Sequence, residues 1–510
     1  MNHKPLLLPL LDEALKRGPL EPADVAAAAR ATGLPAAAAW EAVRFYPRYA
    51  ATGERWLLVD EPVVRSRNFD SLLNALERVA LAAGVESGTV YSYGLEALGP
   101  ALVVEQGAER RVYAPVDEAS LERLAAGAEP GPAAGLLPRE LAGGGWLLED
   151  PPPPPQFPGA GELIASARAA GLRGLGGAHF PVWRKLEAVR AQDAAEKYVV
   201  VNGDESEPGN FKDRWLMEHN PRLVWTGAAL AARAVGASEI VFYVRGEYDG
   251  ALERVEAARR ELAASGYLDG LETSTFRGGG LYICGEESAL LESIEGKRAE
   301  PRLKPPYPAE AGLFGKPTLV NNVETLAHLA LVASHGADAY RERRPKLFSI
   351  SGDVAKPGVY ELALGTTLEE ALAAAGAGRA RAVLLGGAAG TFLKLPDAAG
   401  LLLDFEAPRA QGDSIGPGAL MVFDETRDLW AVAEGVSAFF AHESCGKCFP
   451  CSLGTPHLHR LVWNWRRGQR RPELLHELAQ ALEQGSLCGL GQAAPWAVRS
   501  LLERFVEVNR

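Results

Sequence analysis

Four cysteines near the end of the chain have the spacing of metal or redox ligands. Cys445, Cys448 and Cys451 lie within ESCGKCFPC, and Cys488 follows after 36 intervening residues. Three thiolates at i, i+3 and i+6 can bind different irons of one cubane, and a distant fourth completes the set for a [4Fe–4S] cluster. A zinc ion, whose loops usually supply two ligands each, and free buried thiols are the alternatives. The spacing favours the iron–sulfur cluster.

A glycine-rich segment, GLRGLGGAHFPVWRK, has the residues of a phosphate site. Glycines such as Gly174 and Gly176 allow a backbone to approach a ligand closely, and Arg173 and Lys185 supply positive charge. The segment lacks the G-x-G-x-x-G pattern of dinucleotide-binding folds. A flexible loop is the alternative interpretation.

Acidic and amide side chains follow a predicted strand in YVVVNGDESEPGNFKDR. The apolar run Tyr198–Val201 leads into Asn202, Asp204, Glu205 and Glu207. Ligands of open α/β sheets bind beyond the carboxyl ends of strands, where these groups fall. The alternative is a solvated acidic loop.

The segment GGGLYICGEESALLESIEG predicts a short strand over Leu281–Cys284, then Gly285, then a helix that begins near Glu286 and Glu287. A helix N-terminus suits a phosphate or ribose. Helix capping by the carboxylates is the alternative. Cys284 is expected to be a small buried apolar residue.

Two further motifs complete the set. In PRLKPPYP, Lys304 and Tyr307 would suit a phosphate and a planar base, or form a rigid surface turn. In GKPTLVNNVET, Asn321, Asn322 and Thr325 would bind a ligand or cap the following helix.

Composition limits the class of protein. The chain has 510 residues, 47% hydrophobic and 23% charged, with a net charge of −12. This composition excludes wholesale disorder, and the acidic charge argues against nucleic acid or an anionic membrane as the main partner. No apolar run reaches the ~20 residues of a membrane span, and the N-terminus does not resemble a secretory signal. We therefore expect a cytoplasmic protein without direct membrane insertion.

Periodicity predicts an α/β multidomain chain with several parts. We expect short helices and then a small α/β domain over 1–127, a Gly/Pro-rich linker over 128–160, an α/β domain with a largely parallel sheet over 161–338, a β-grasp-like module over 345–425 and a helical domain over 429–510. The parallel sheet should contain strands Lys197–Asn202, Ile240–Arg245 and Leu281–Cys284.

Taken in this order, the motifs resemble the flavin-bearing, NADH-oxidising subunit of respiratory complex I. Its relatives in NAD-reducing hydrogenases and NAD-dependent formate dehydrogenases match equally well, over about residues 160–495. The resemblance implies FMN, a [4Fe–4S] cluster and NAD as substrate. The FMN residues it implies are Gly174, Gly176, Lys185, Asn202, Asp204, Tyr282, Gly285, Glu286, Asn321, Asn322 and Thr325. The NAD-binding residues it implies are Phe180, Glu205, Glu207, Glu287, Lys304 and Tyr307, and the cluster ligands are Cys445, Cys448, Cys451 and Cys488.

Three positions depart from the family pattern. His179 and Ser206 stand where the family has glycine, and Tyr307 stands where it has phenylalanine.

The N-terminal part resembles the thioredoxin-like small subunit that accompanies this flavoprotein, fused here to it. In that subunit four cysteines hold a [2Fe–2S] cluster, and the aligned positions here are Val59, Val64, Ala97 and Ala101. Because no cysteine precedes Cys284, a thiolate-bound cluster is excluded from this part. This architecture most resembles the β subunit of NAD-dependent formate dehydrogenase.

The predicted function is therefore that of a diaphorase subunit that passes electrons between NAD(H), FMN and a [4Fe–4S] cluster. No protein side chain is assigned a catalytic role, because the flavin accepts the hydride. The expected partners are redox subunits that carry further iron–sulfur clusters and a catalytic subunit that oxidises formate. Alternatives are the corresponding subunit of complex I or of a hydrogenase, a flavin-less iron–sulfur scaffold, and a zinc-binding interaction protein.

Overall fold

The computed structural model describes residues 5–50, 53–65, 69–106, 109–139 and 145–506. These residues fall into two compact units. The first unit lies within Met1–Ala51, Leu136–Glu205 and Lys212–Leu347, and the second within Thr52–Gly135, Ser206–Phe211 and Phe348–Arg510. The short segment Ser206–Phe211 therefore belongs to the second unit although both of its flanks belong to the first.

The regular elements are numbered along the chain. The helices are α1 (Leu7–Leu15), α2 (Pro22–Thr32), α3 (Ala36–Phe45), α4 (Pro47–Ala50), α5 (Pro62–Arg65), α6 (Phe69–Ala83), α7 (Glu118–Ala125), α8 (Ala160–Ala169), α9 (Val182–Arg190), α10 (Lys212–His219), α11 (Pro221–Val235), α12 (Asp249–Ala264), α13 (Glu287–Ile294), α14 (Pro308–Ala311), α15 (Val323–His335), α16 (Ala337–Arg343), α17 (Leu368–Ala374), α18 (Ala407–Ala410), α19 (Leu429–Glu443), α20 (Phe449–Arg466), α21 (Pro472–Gly485), α22 (Gly489–Ala493) and α23 (Trp496–Phe505). The strands are β1 (Glu54–Asp60), β2 (Glu86–Tyr91), β3 (Leu102–Gln106), β4 (Glu109–Tyr113), β5 (Tyr198–Gly203), β6 (Glu239–Val244), β7 (Glu272–Arg277), β8 (Thr318–Asn322), β9 (Pro345–Gly352), β10 (Gly358–Ala363), β11 (Ala380–Leu385), β12 (Thr391–Lys394) and β13 (Ala419–Asp424).

A parallel sheet of order β7-β6-β5-β8 forms the centre of the first unit. The chain runs outward from β5 to β7 and then returns to the other side of β5 as β8. The strand order therefore reverses between β5 and β8, which is where open α/β sheets bind their ligands. The buried β-branched run Val199–Val201 explains why β5 lies in the interior of this sheet.

The strands predicted near Tyr198 and Ile240 are present as β5 and β6, but the strand predicted at Leu281–Cys284 is wrong. Residues Tyr282–Gly285 form a 3₁₀ turn. The outer strand is instead β7, whose sequence ETSTFR alternates in burial and lacks a continuous apolar run. A short apolar segment beside glycines does not distinguish a strand from a buried turn.

The N-terminal helices α1–α4 fall in the first unit, whereas the sheet that follows them falls in the second. The predicted domain 1–127 is thus divided between the units. Tyr46 explains the placement of the helices, because its ring lies against Gly279, where a Cβ would be 2.1 Å from Tyr46 Cδ1. The Tyr46 hydroxyl also donates to the Lys297 carbonyl oxygen at 2.8 Å.

The predicted linker 128–160 is anchored where its described residues meet α10 and α11. Leu137 and Leu147 are buried. The Leu137 N–H donates to the Glu218 carboxylate at 2.6 Å, and the Asn220 side-chain amide donates to the Leu147 carbonyl oxygen at 3.0 Å. The Gly/Pro-rich composition predicted the irregular backbone but not these contacts.

The second unit contains two sheets. The first has the order β2-β1-β3-β4, with β1 parallel to β2 and antiparallel to β3. Of the four positions aligned with cluster cysteines, Val59, Val64 and Ala101 are buried apolar side chains. Residues 66–68 of the aligned RSRNFD motif lie outside the described residues.

The other sheet has the order β10-β9-β13-β11-β12 and packs its apolar side chains against α17. It falls within the predicted module 345–425, and α19 to α23 follow it. Within the part of the chain that the structure describes, no helix is both long and apolar enough to span a membrane.

Candidate functional site

The carboxyl ends of β5 and β8 bring three asparagines together. Asn202 pairs in register with Asn322, and Val201 with Asn321. The Asn202 side-chain amide donates to the Gly285 carbonyl oxygen at 2.9 Å, and its Oδ1 accepts from the Asp204 N–H at 3.1 Å. Asn321 is buried, and its Nδ2 has no hydrogen-bond partner among the described residues. A buried amide donor in this state is available to an acceptor, either a ligand atom or an ordered water.

The glycine-rich segment lies against this edge. The Leu175 N–H donates to Thr325 Oγ1 at 2.8 Å. A Cβ on Gly176 would be 3.1 Å from the Asn322 Cβ, so only glycine fits there without displacing Asn322. His179, where the family has glycine, is a buried residue with φ of +55°. That left-handed backbone explains why glycine is favoured at this position.

Two lysines and two glutamates form a chain of ion pairs beside the asparagines. Lys185 Nζ lies 3.0 Å from Glu287 Oε2, and Lys304 Nζ lies 2.9 Å from both Glu286 Oε1 and Glu287 Oε1. Burial would raise the pKa of Glu287, but Lys185 and Lys304 lower it below its ordinary value. The glutamates therefore hold two cations at an edge that can meet phosphate oxygens.

Glu286 also confirms the capping interpretation. Its Oε2 accepts from the Ser288 and Ala289 N–H groups at 3.0 and 2.9 Å, at the start of α13. Asn322 does the same for α15, accepting from the Thr325 N–H at 3.3 Å. Capping and a site role use different atoms of Glu286, so the two interpretations are compatible.

The Glu205 carboxylate is buried and held by backbone groups. Its two oxygens accept from the Asp213 N–H at 2.9 Å and the Arg214 N–H at 2.7 Å. Burial and the nearby Asp213 carboxylate raise the pKa of Glu205 to about 8. The Tyr248 hydroxyl donates to the Glu205 carbonyl oxygen at 3.0 Å. Glu205 is therefore a fixed carboxyl group that is largely neutral at pH 7.

A buried ion network that the sequence analysis missed supports the asparagines. The Asn322 side-chain amide donates to Asp213 Oδ2 at 2.7 Å, and Asp213 Oδ1 lies 2.8 Å from Lys212 Nζ. Glu324 Oε2 lies 2.9 Å from Lys212 Nζ and 3.0 Å from Lys346 Nζ. The sequence does contain a signal for this network, because charged residues interrupt the apolar pattern of α15 and occur together in the FKDR sequence.

The charges of this network compensate one another. Burial would raise the pKa of Glu324, but Lys212 and Lys346 hold it well below its ordinary value. Burial lowers the pKa of Lys346 to about 8, although Glu324 opposes that shift. Each buried charge therefore depends on its partners.

The remaining predicted nucleotide residues are distributed over both units. Phe180 and Tyr307, in the first unit, expose 45% and 54% of their surface. Tyr282 lies in the 3₁₀ turn beside Gly285. Glu207 belongs to the second unit, where its Oε1 accepts from the Ala389 N–H at 2.6 Å.

The four C-terminal cysteines come together in the second unit. Cys448 directly precedes α20 and Cys488 directly precedes α22. The Leu487 N–H donates to Cys448 Sγ at 3.5 Å, and Ser444 Oγ lies 3.3 Å from Cys451 Sγ. Burial, with the neighbouring cysteines Cys445, Cys448 and Cys488, raises the pKa of Cys451 to about 11.

The four thiols have the ligand type of an iron–sulfur cluster, in which each cysteine binds a different iron. Among the described residues, no group of three or more His, Cys, Asp or Glu side chains is arranged as a metal-ion site. Cys284 lies elsewhere and is buried, as expected.

Comparison with known families gives matches over three regions. The family described as "Nuo51 FMN-binding domain" matches residues 167–331, and the "NADH-ubiquinone oxidoreductase-F iron-sulfur binding region" matches residues 431–509. An "SLBB domain" matches residues 347–387.

Curated relatives cover the same part of the chain. The F 2 subunit of the NADH-quinone oxidoreductase of Rhizobium meliloti is 38% identical over 366 residues, which are 68% of this chain and 87% of the relative. The α subunit of the NAD-reducing hydrogenase HoxS of Cupriavidus necator is 39% identical over 68% of this chain and 59% of the relative. A crystal structure of an air-oxidised NAD⁺-reducing [NiFe]-hydrogenase matches with a TM-score of 0.86 and 33% identity, covering 98% of this chain and 92% of that one.

The chain therefore belongs to the family of flavin-bearing, NADH-oxidising subunits that includes the F subunits of NADH-quinone oxidoreductases. The resemblance inferred from the motifs is confirmed. The protein is an oxidoreductase subunit of a larger redox complex, with FMN and a [4Fe–4S] cluster as cofactors and NADH as substrate.

Glu324→Gln should destabilise the first unit. The change leaves Lys212 and Lys346 buried without a full counter-charge, and breaking a buried pair in this way costs about 3–5 kcal/mol. We expect a lower urea midpoint in tryptophan fluorescence and earlier release of flavin. Glu253→Gln, at an exposed position of α12, serves as the matched control. An unchanged midpoint for Glu324→Gln would show that the network contributes no stability.

Proposed function

We propose that the edge formed by β5 and β8 is where this chain carries out its NADH oxidation. The observation that carries the proposal is the buried Asn321 amide without an acceptor, beside a glycine segment that approaches Asn322 closely. FMN provides both a phosphate and a ring system rich in acceptors, so these residues fit it.

The FMN residues in this proposal share one edge of the first unit. The backbone of Gly174 and Gly176 allows FMN to approach closely, and Lys185 contacts its phosphate. The side-chain amides of Asn202, Asn321 and Asn322 donate hydrogen bonds to acceptor atoms of FMN. The remaining members of the set are Asp204, Tyr282, Gly285, Glu286 and Thr325. Asp213 keeps Asn322 in place through its hydrogen bond of 2.7 Å.

The nucleotide residues in this proposal combine aromatic and charged groups. Phe180 and Tyr307 expose ring surface on which a base can stack. Lys304 supplies charge for the diphosphate, and Glu287 keeps that lysine oriented. Glu205 and Glu207 complete the set. Both are held through backbone N–H groups, so their carboxyl groups are fixed before the nucleotide binds.

FMN bound at this edge would supply a two-electron acceptor for the hydride of NADH, and a [4Fe–4S] cluster would supply one-electron transfer. The chain's own residues position these groups, with Cys445, Cys448, Cys451 and Cys488 as the cluster ligands. No side chain of the site is required to move a proton in the hydride step.

A visible spectrum of the anaerobic chain before and after NADH tests these assignments. We expect NADH to bleach both the flavin and the iron–sulfur absorption. Cys488→Ala should lose the cluster and bleach only the flavin, whereas Cys284→Ala should keep both and about four irons per chain. A colourless, iron-free preparation that does not respond to NADH would contradict the proposal.

The charge of Glu205 predicts an alkaline limit for nucleotide binding. Because the pKa of Glu205 is raised to about 8, the group is neutral below pH 8 and becomes negative as the pH rises through that value. The new charge repels the phosphates of NADH, so KM should rise several-fold between pH 7 and 9. In Glu205→Gln the KM should stay nearly constant over this range, and exposed Glu261→Gln should behave like wild type. An equal rise of KM in wild type and Glu205→Gln would exclude this role.

The assignment of the individual domains to known fold types is also part of this proposal. We assign the sheet of β1–β4 to a thioredoxin-like domain without a cluster, residues 345–425 to a β-grasp-like module, and residues 429–510 to the cluster domain. The match to an SLBB domain over 347–387 supports a separate module there. Thiolate ligands persist in a reducing compartment, which supports a cytoplasmic location.

For the parent complex we propose an NAD-dependent formate dehydrogenase, with partner subunits that carry further iron–sulfur clusters and oxidise formate. The fused N-terminal domain without cluster cysteines supports this choice. A hydrogenase is the second candidate, favoured by the structural match over 98% of this chain.

The three candidate parent complexes, a formate dehydrogenase, a hydrogenase and complex I, differ in the electron donor or acceptor that they use. The native complex, isolated through a tag on this chain, should reduce NAD⁺ with formate and not with H₂. Reduction with H₂ alone would identify the hydrogenase instead. Quinone reduction by NADH without either activity would indicate a complex I module. In all three cases the internal control is the reduction of ferricyanide by NADH, a reaction that this chain catalyses itself.

A further inference from the structure

Residues 280–295 carry four of the side chains and backbone groups proposed for the cofactor and the nucleotide, namely Tyr282, Gly285, Glu286 and Glu287. The segment consists of the 3₁₀ turn and then α13. The Gly285 carbonyl oxygen accepts from the Asn202 side-chain amide at 2.9 Å, and Glu287 pairs with two lysines of the same edge. The position of residues 280–295 therefore determines where several groups of the ligand edge lie.

One tyrosine of the N-terminal helices contacts the chain on both sides of this segment. Tyr46 directly follows α3, is fully buried and belongs to the same unit as the segment. Its ring occupies the space in which a Cβ of Gly279 would stand, and its hydroxyl donates to the Lys297 carbonyl oxygen at 2.8 Å. Gly279 precedes the segment and Lys297 follows it, so Tyr46 connects its two ends.

A second tyrosine makes corresponding contacts from the parallel sheet. Tyr243, in β6, is fully buried, and a Cβ on Gly278 would lie 2.6 Å from Tyr243 Cε1. The Tyr243 hydroxyl lies 3.1 Å from Ser293 Oγ, in the last turn of α13. The segment is thus held from the sheet by Tyr243 and from the N-terminal helices by Tyr46.

The glycine that follows the segment is also enclosed by the N-terminal helices. Gly296 has a φ of +76°, and a Cβ there would lie 2.7 Å from Leu7 Cβ and 3.1 Å from Leu34 Cδ1. Leu7 begins α1, and Leu34 lies between α2 and α3. Close approach of this kind requires glycine. Both flanks of the segment therefore fit against α1–α4 with no space for a larger residue.

The Tyr46 hydroxyl is a lasting donor. Burial raises the pKa of Tyr46 well above its ordinary value, so the hydroxyl keeps the proton that it donates to Lys297. Loss of a buried hydrogen-bond donor leaves its acceptor unsatisfied, which weakens the structure at that point. The contact between Tyr46 and Lys297 is therefore one that a single substitution can test.

We propose that Tyr46 is a positioning residue that fixes residues 280–295 for flavin and nucleotide binding, so that the N-terminal helices are a working part of the ligand site. The inference rests on the proposed FMN and NAD residues of this segment. Tyr46 acts through Gly279 and Lys297 and does not itself contact a ligand. The FMN-binding family model begins its match at residue 167, so it does not include these helices.

Tyr46→Phe in the full chain tests the contact with Lys297. The change keeps the ring against Gly279 and removes only the donated hydrogen bond. We expect about fivefold faster hydrogen exchange in peptides covering 280–297, with the Kd for FMN and the KM for NADH each about fivefold higher. With saturating FMN, kcat should change less than about twofold, because the flavin itself accepts the hydride.

Tyr49→Phe is the matched control. Tyr49 is also buried in the N-terminal helices, but its hydroxyl donates to Asp12 Oδ1 at 3.1 Å, within those helices. This variant should lose a comparable hydrogen bond and keep the wild-type FMN affinity and KM. An equal loss of FMN affinity in Tyr49→Phe and Tyr46→Phe would indicate general destabilisation and would overturn the inference.

Gly279→Ala tests the ring contact independently. Its methyl group would overlap the Tyr46 ring, so the loop or the ring must shift, and we expect the Kd for FMN and the KM for NADH to rise about tenfold. Gly161→Ala, in α8, is the control, because a Cβ there meets no atom of the described residues within 4 Å. Tyr46→Phe keeps the test decisive if Gly279→Ala does not fold.

Asn321→Ala separates this inference from the proposed site. Loss of its buried amide should weaken FMN binding whether or not Tyr46 has a role. Unchanged FMN affinity and KM in Tyr46→Phe, together with weaker FMN binding in Asn321→Ala, would overturn the role of Tyr46 alone. Unchanged FMN affinity in both variants would overturn the proposed site together with this inference.

Discussion

The buried carboxylate of Glu324 is the constraint on which the first unit depends. Two lysines from separate parts of the chain, Lys212 at the start of α10 and Lys346 in β9, converge on it. A charge inside an apolar domain is costly unless its partners are fixed, so the network fixes where these segments lie. Through Asp213 the same network reaches Asn322, which connects the stability of the domain to the geometry of its ligand edge.

Much of this edge, and separately the cysteine group of the second unit, was predictable because the signals are local. The apolar run of β5, the glycine segment and the cysteine spacing each show in a few adjacent residues. Strands β7 and β8 were missed since neither has the expected pattern: ETSTFR is a polar outer strand, and TLVNN ends in the two asparagines of the proposed site. The network around Glu324 was missed because it joins α10 to residues of α15 and β8 more than a hundred positions away, as in the 109-residue separation of Asp213 and Asn322, and only the fold brings them together.

Polar residues at the ends of elements serve more than one purpose in this chain. Glu286 caps α13 with one oxygen and pairs with Lys304 through the other. His179 shows the opposite case, because it occupies a left-handed conformation that glycine adopts at lower cost. The sequence alone identified His179 as a departure from the family pattern, and the backbone angle supplies the reason why that position is restricted.

The four cysteines proposed as cluster ligands come from two places, around the start of α20 and directly before α22. A metal cluster bound to Cys451 and Cys488 would join these two places and close the intervening chain into a ring. Such a cross-link restricts the unfolded tail far more than the folded one, because the folded tail already holds the ligands near each other. With these ligands, iron supply would be a condition for maturation of the C-terminal helices, in addition to its part in electron transfer.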